Sequence, residues 1–272
     1  MEKQNVTTGF QNVDNAQHQF LAKFLEDAGV QPTVLEGFGI QLDRLDIKEG
    51  HHVLDVGCGI GLQAHEMAKL VGAGGRVVGT DLSTVMIDIA KSRAADSDLP
   101  LEFVVADALA QPFPDQSFDR IRTERVLMYI KDLPAVLKEF RRLLRSRGKI
   151  VIFDFDWDAM IISHRDKALT RKIVRYGSDS FPNGRVGSEL FGQMRLAGFR
   201  GVRARPYSYS GNTEIVQSIT KRLYEGIIQT GVSTGVFSRE EIADWWKAFD
   251  EDGSKGDLFM SFTGFIVTGS KD

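Results

Sequence analysis

The stretch of this 272-residue chain that can do recognisable chemistry is a glycine cluster flanked by two aspartates. Val53-Leu54-Asp55-Val56-Gly57-Cys58-Gly59-Ile60-Gly61 passes from a β-branched run into a glycine-rich turn, and Leu62 and Gln63 then enter a helical stretch. A buried strand that ends this way lets a ligand lie against bare backbone at a helix N-terminus. Twenty residues past Gly61, at the end of the next strand, stands Asp81, where a carboxylate can accept both hydroxyls of a ribose. Together these features predict a nucleotide-like ligand. The glycines fall as G-x-G-x-G, not as the dinucleotide fingerprint G-x-G-x-x-G. Asp55 immediately precedes them and would be unwelcome beside a pyrophosphate. It suits the amino group of a zwitterionic ligand better, held directly or through water. No G-x-x-x-x-G-K-[ST] loop occurs, which argues against ATP or GTP hydrolysis.

Other reactive side chains have plainer readings. Cys58 lies inside the loop, but nothing near it in sequence supplies a base, so a small side chain packed beneath the loop is expected. Asp154, Asp156 and Asp158 alternate along one strand end and could face one way, as rim residues or as ligands of a magnesium ion. No metal site is expected from them. Arg141, Arg142, Arg145, Arg147 and Lys149 form the solvated face and end of a helix, where cations favour the dipole. His18, Tyr129, Trp157 and His164 fall in segments expected near a ligand crevice. Of these, His164 and Tyr129 are the candidates for a general base. Trp245, Trp246, Phe237 and Tyr224 are candidates for the apolar wall of an acceptor pocket.

The elements that must position these groups follow from periodicity. Phe20, Leu21, Phe24 and Leu25 make one helical stripe near the start, and Val34, Phe38, Leu42 and Leu45 make another. From Val53 onward short strands alternate with helices, with Ser83 and Asp132 as N-caps and Pro134 in a first turn. The strands are expected at 53–56, 76–80, 101–106, 119–123 and 149–153. Crossovers of this length imply parallel pairing and a doubly wound α/β sheet. After Asp154 the alternation loosens, with a short helix over 188–196 and an extended run over 202–210. A helical insertion over 211–256 carries the capping box Ser238-x-x-Glu241, and a final strand spans 259–268. The insertion is either a cap over the active site or a packing layer.

Composition narrows the class. The chain is 42% apolar and 26% charged, ordinary for a globular protein. A net charge of −3 gives no general polyanion-binding surface, and no nucleic-acid partner is expected. One cysteine excludes an internal disulfide. The apolar runs are too short for a membrane span and the start, Met1 to Asn15, is polar, so a cytoplasmic protein is expected.

The motifs in combination resemble one known family. D-V-G-C-G-I-G, T-D at the second strand's end, V-V-A-D-A at the third and F-D-R-I-R-T-E-R-V-L at the fourth are similar to class I S-adenosylmethionine-dependent methyltransferases, within them the type 11 small-molecule group. S-R-G-K stands where the family usually has P-G-G. The resemblance implies a single domain over residues 1–272 with a mostly parallel, seven-stranded, Rossmann-like sheet. Residues 1–48 would form an N-terminal helical segment, 49–157 the cofactor core, and 158–272 the acceptor side with its cap. It also implies S-adenosylmethionine as cofactor, S-adenosylhomocysteine as product and a small-molecule acceptor. Asp55, Gly57, Cys58, Gly59 and Gly61 would lie along the methionine end, and Asp81 would hold the ribose. Leu82 and Met86 would flank the adenine, with Asp107 and Ala108 meeting its polar edge. Arg122 and Thr123 would touch the methionine portion. The rival readings are a methyltransferase-like protein that binds the cofactor for another reaction, such as a cyclisation, and an accessory subunit.

Overall fold

A computed structural model describes Asp14, residues 18–211 and residues 213–272. Apart from Asp14, the polar opening stretch lies outside the described residues. Both N-terminal stripes form helices, α1 (His18–Gly29) and α2 (Pro32–Leu45). The alternating region follows as β1 (His52–Val56), α3 (Leu62–Val71), β2 (Arg76–Asp81), α4 (Thr84–Ala94), β3 (Leu101–Val105), β4 (Phe118–Glu124), α5 (Leu133–Leu143) and β5 (Leu144–Phe155). The expected caps are in place: Ser83 Oγ accepts from Met86 N at 3.1 Å and Asp132 Oδ1 from Ala135 N at 2.9 Å.

Four of these strands are largely buried, β3 at the edge less so, and all five pair in parallel in the order β3-β2-β1-β4-β5. The chain fills one side of β1 with β2 and β3, then returns to β4 on the other side. That reversal opens a crevice at the carboxyl ends of β1 and β4, where α/β sheets hold ligands.

Beyond β5 the sheet becomes mixed. A short 3-10 turn, Trp157–Ala159, is capped by Asp156 and followed by β6 (Ile161–Ile162). Helices α6 (Lys167–Asp179) and α7 (Val186–Leu196) lead into β7 (Arg200–Gly211). The insertion resolves into α8 (Thr213–Ser233) and α9 (Arg239–Ser254), and β8 (Met260–Ser270) closes the sheet. β8 runs antiparallel between β5 and β7. Among the described residues the sheet therefore has eight strands where seven were expected. The extra one, β6, pairs with Ser261 and Met260 and resumes the β5 row after the 3-10 turn interrupts it. Helix α6 also falls in a stretch where no helix was expected. Pro206 is tolerated in β7 because among the described residues that strand pairs only with β8, leaving its other edge without a ladder to break. Among the described residues no helix is long and apolar enough to cross a membrane.

Candidate active site

The glycine loop leaves β1 and is tied to the end of β2, since Gly57 N and Cys58 N both donate to Thr80 O at 2.7 and 2.9 Å. Gly57 and Gly61 are needed for two reasons. Their φ values are +71° and +79°, and a Cβ would lie 2.1 Å from Val126 Cγ2 at the first and 2.7 Å from Phe103 Cζ at the second. Asp81 organises the middle of the loop: its Oδ2 accepts from Gly59 N at 2.9 Å and its Oδ1 from Ser83 N at 3.0 Å. Burial pushes this carboxyl above its ordinary value, opposed by those two N–H donors.

The loop borders a cavity of about 1210 Å³. Pockets for one drug-sized ligand run to roughly 300–1,000 Å³, so this one has room for a cofactor and an acceptor together. One half is lined by Gly57, Cys58, Gly59, Ile60, Asp81, Leu82, Met86, Asp107, Ala108 and Leu109. Leu82 and Leu109 are 69% and 39% exposed at its rim, an apolar surface that a flat base would cover, while Met86 is buried beneath. Asp107 Oδ1 holds Leu109 N at 2.9 Å. A glycine cradle, a carboxylate at the end of β2 and an uncovered leucine pair fit the S-adenosylmethionine that the resemblance implies.

Asp55 and Arg122 meet each other under the loop. Asp55 is fully buried and does not line the cavity; its Oδ1 accepts from Arg122 Nη1 at 2.8 Å, and its Oδ2 has no hydrogen-bond partner among the described residues. Arg122 Nη2 donates to Glu124 Oε2, and its Nε donates to Gln41 Oε1 at 2.9 Å. Gln41 Nε2 in turn donates to Glu124 at 2.9 Å, tying α2 to β4. Burial opposes the charge on all three ionisable groups. For Glu124 the arginines outweigh it, so its carboxyl lies below the ordinary value, whereas burial prevails at Asp55 and its carboxyl is raised. Asp55 was expected to hold a ligand's amino group directly or through water; in this arrangement it is set back from the cavity and pairs with Arg122, which does line it. Thr123 is likewise not brought to the cavity. Successive strand residues face opposite sides of a sheet, so Arg122 and Glu124 line the cavity and Thr123 is buried away from it.

The other half of the cavity is aromatic. Phe155 at the end of β5, Trp157 in the 3-10 turn after it, Phe181 after α6, Tyr209 on β7 and Phe262 on β8 form its wall, with Tyr129 beside them. Trp157 stacks on Phe181 at 4.9 Å, and Tyr209 on Phe262 at 5.3 Å. Tyr129 packs against Phe181 at 5.8 Å, and burial followed by the nearby Asp154 raises its phenol, so it stays protonated at neutral pH.

His164 lies outside this cavity, in a separate cleft beside α6. Its ring stacks on Trp245 at 4.7 Å; Nδ1 accepts from Asp166 N at 3.0 Å and Nε2 lies 3.1 Å from Trp245 O. With one nitrogen accepting and the other donating, it has no lone pair free for a substrate proton. Trp245, Tyr224 and Phe237 are also corrected: all three are buried in the core and none lines the cavity. Trp245 Nε1 donates to Thr170 Oγ1 at 2.9 Å and Tyr224 Oη to Met160 Sδ at 3.0 Å. Trp246 stays off the cavity too, edge-on to Trp245. Helix α9 is thus a packing layer, and from α8 only Leu223 lines the cavity among the described residues. Cys58 packs beside Gly79, and burial holds its thiol well above the ordinary range. Asp154 accepts from the backbone N–H of Leu127, Met128 and Phe155, and Asp156 caps the 3-10 turn. Among the described residues no group of three or more His, Cys, Asp or Glu is placed to hold a metal ion.

Glu124, Arg125, Leu109 and, apart from Trp157, the members of the aromatic wall are not singled out by the sequence. Strand alternation from Arg122 points to Glu124, and the alternating Phe153-x-Phe155-x-Trp157 hints at one side of the wall. The other side comes from segments far apart in the chain.

The methyltransferase domain family matches residues 47–194, more than half of the chain. Over 114 residues the chain is 40% identical to phosphoethanolamine N-methyltransferase 1 of Arabidopsis thaliana, a stretch covering 42% of this chain and 23% of the plant protein. It is 38% identical to methyltransferase GfsG of Streptomyces halstedii, covering 41% and 40% of the two chains. The chain therefore spans well under half the length of these curated relatives. Among solved structures, Haemonchus contortus phosphoethanolamine N-methyltransferase 2 in complex with S-adenosyl-L-methionine superposes with a TM-score of 0.61 and 21% identity, covering 96% of this chain and 60% of that one. At that identity the superposition speaks for the fold. The glycine cradle, the β2 carboxylate and the family match agree, and the chain belongs to the methyltransferase domain family, whose members take their methyl group from S-adenosylmethionine.

Proposed function

We propose that this methyltransferase transfers a methyl group to an O, N or C nucleophile of a small, largely planar organic molecule, in secondary or specialised metabolism and in the cytoplasm. The observation that carries the reading is the single cavity with a ribose-type carboxylate at one end and an aromatic wall at the other. Small-molecule sites are built this way, mostly apolar with a few placed polar groups. S-adenosylmethionine, when bound, supplies a methyl group already activated on a sulfonium. The chain's own task is then alignment. Asp81 and the glycine loop hold one partner, and Trp157, Phe181, Tyr209 and Phe262 hold the other. Such positioning can supply roughly 7–11 kcal/mol of barrier lowering. Tyr129 acts as a hydrogen-bond donor to the acceptor and not as a base, because its phenol keeps its proton.

The test is incubation of the purified chain with S-adenosylmethionine and a library of aromatic and aliphatic acceptors. Mass spectrometry then looks for products heavier by one methyl and for S-adenosylhomocysteine. Methylated planar acceptors are the expected result. Tight cofactor binding with no methylated product and no S-adenosylhomocysteine across the library would favour the cyclase or accessory readings.

A further inference from the structure

We propose that Arg125 anchors an anionic oxygen of the acceptor, so that the substrate class is a planar, apolar molecule carrying one oxyanion such as a carboxylate or phenolate. The inference rests on the methyltransferase reading above and deepens it.

Arg125 follows β4 with φ +58°, in the left-handed region that side-chain-bearing residues avoid. Of the four described non-glycine residues with positive φ, it alone lines the cavity. Its backbone is held there by Arg125 N donating to Phe153 O at 2.8 Å. Strained backbone kept at a cavity wall is a pointer to function. The side chain is 25% exposed, and its Nε lies 3.1 Å from Glu124 Oε1. Glu124 is already committed to Arg122 and Gln41 through its other oxygen. One carboxylate thus serves two guanidinium groups, and among the described residues the Arg125 guanidinium, with its five N–H donors, has this ion pair as its one charged partner. The charge of Arg125 also reaches Tyr129 and Tyr209, the two phenols of the acceptor half. A guanidinium at the edge of an aromatic wall, with donors to spare, is built to fork onto an oxyanion lying flat against that wall.

The experiment uses two bicyclic probes that differ in charge, 2-naphthoate and 2-naphthylmethylammonium, titrated calorimetrically into the S-adenosylhomocysteine complex at pH 7.5. Wild type should bind naphthoate at least about tenfold more tightly than the ammonium probe. Arg125→Gln should weaken naphthoate by about tenfold or more while leaving S-adenosylhomocysteine affinity unchanged, with Arg125→Lys in between. Preference for the ammonium probe overturns the proposal, since it would make the wall a cation cage. So does the absence of naphthoate binding, or unchanged affinity in Arg125→Gln. A parallel loss of S-adenosylhomocysteine affinity overturns it as well, by moving Arg125 to the cofactor's carboxylate. If wild type fails to bind S-adenosylhomocysteine at all, the methyltransferase reading itself falls, which is a different result from any of these.

Discussion

Asp81 shapes the glycine loop in this structure and is proposed to hold a ribose as well, and a single substitution can be made to separate the two. Its two oxygens accept from Gly59 N and Ser83 N, so it shapes the loop, and it lines the cavity where a ribose would lie. Asp81→Ala removes both. Hydrogen bonds to a charged partner are worth roughly 1.5–3 kcal/mol each, so losing two ribose hydroxyl bonds costs about 3–6 kcal/mol, or about 10²–10⁴-fold in Kd. Two orphaned backbone N–H groups would add to that by loosening the loop. The assay is a cycle: wild type and Asp81→Ala, each titrated with S-adenosylhomocysteine and with its 2′,3′-dideoxy analogue. If Asp81 holds the ribose, the analogue binds wild type much more weakly but binds the variant about as well as the parent ligand does. Losses that simply add would show that the hydroxyls meet some other group. Asp81 would then be a loop former only, and the argument from the β2 terminus would fail.

Two further outcomes follow from buried groups. Trp245→Ala should cost about 3–5 kcal/mol in denaturant melts, because the ring is 1% exposed and packed between Phe249 and His164, while S-adenosylhomocysteine affinity of the folded protein stays the same. A changed ligand affinity without lost stability would restore it to the cavity wall. Burial pushes the Asp154 carboxyl from its ordinary 3.8 up to about 7. Between those values the folded state holds the proton more tightly than the unfolded state does, so stability falls as pH rises. Relative to Asp154→Asn, wild type should lose on the order of 4 kcal/mol from pH 4 to pH 7, and a rise over that window would contradict the assignment.

Local features were legible in the sequence and non-local ones were not. The glycine loop can be read because a left-handed backbone beside Val126 and Phe103 leaves no other residue type. Asp81 can be read because a strand–helix–strand crossover has nearly fixed length. Thr123 was misplaced by a rule that sequence does contain, the alternation of faces that puts Glu124 beside Arg122. Trp245 and Tyr224 fail for a deeper reason: an apolar stripe on a helix looks the same whether it faces a cavity or a neighbouring helix. Only the packing of α9 on α6, seen in the bond from Trp245 to Thr170, decides it. Phe155, Tyr209 and Phe262 are brought together by the pairing of β8 with β5 and β7, and Phe181 joins them from the turn after α6, so no short window of sequence contains the wall.

The position of β8 has a consequence for how the chain is made. Its two long partners, β5 and β7, and the two-residue β6 all precede it in synthesis, and β7 hydrogen-bonds to no other strand among those described. A nascent chain that has reached α9 therefore carries an open edge on β5 and a wholly unpartnered β7, the condition in which strands recruit other molecules. The composition of β7 counters this, since Arg200, Arg203 and Arg205 put like charges along it and Pro206 deletes a donor. The aromatic wall of the cavity, which needs Phe262 from β8, is complete only when that waiting period ends.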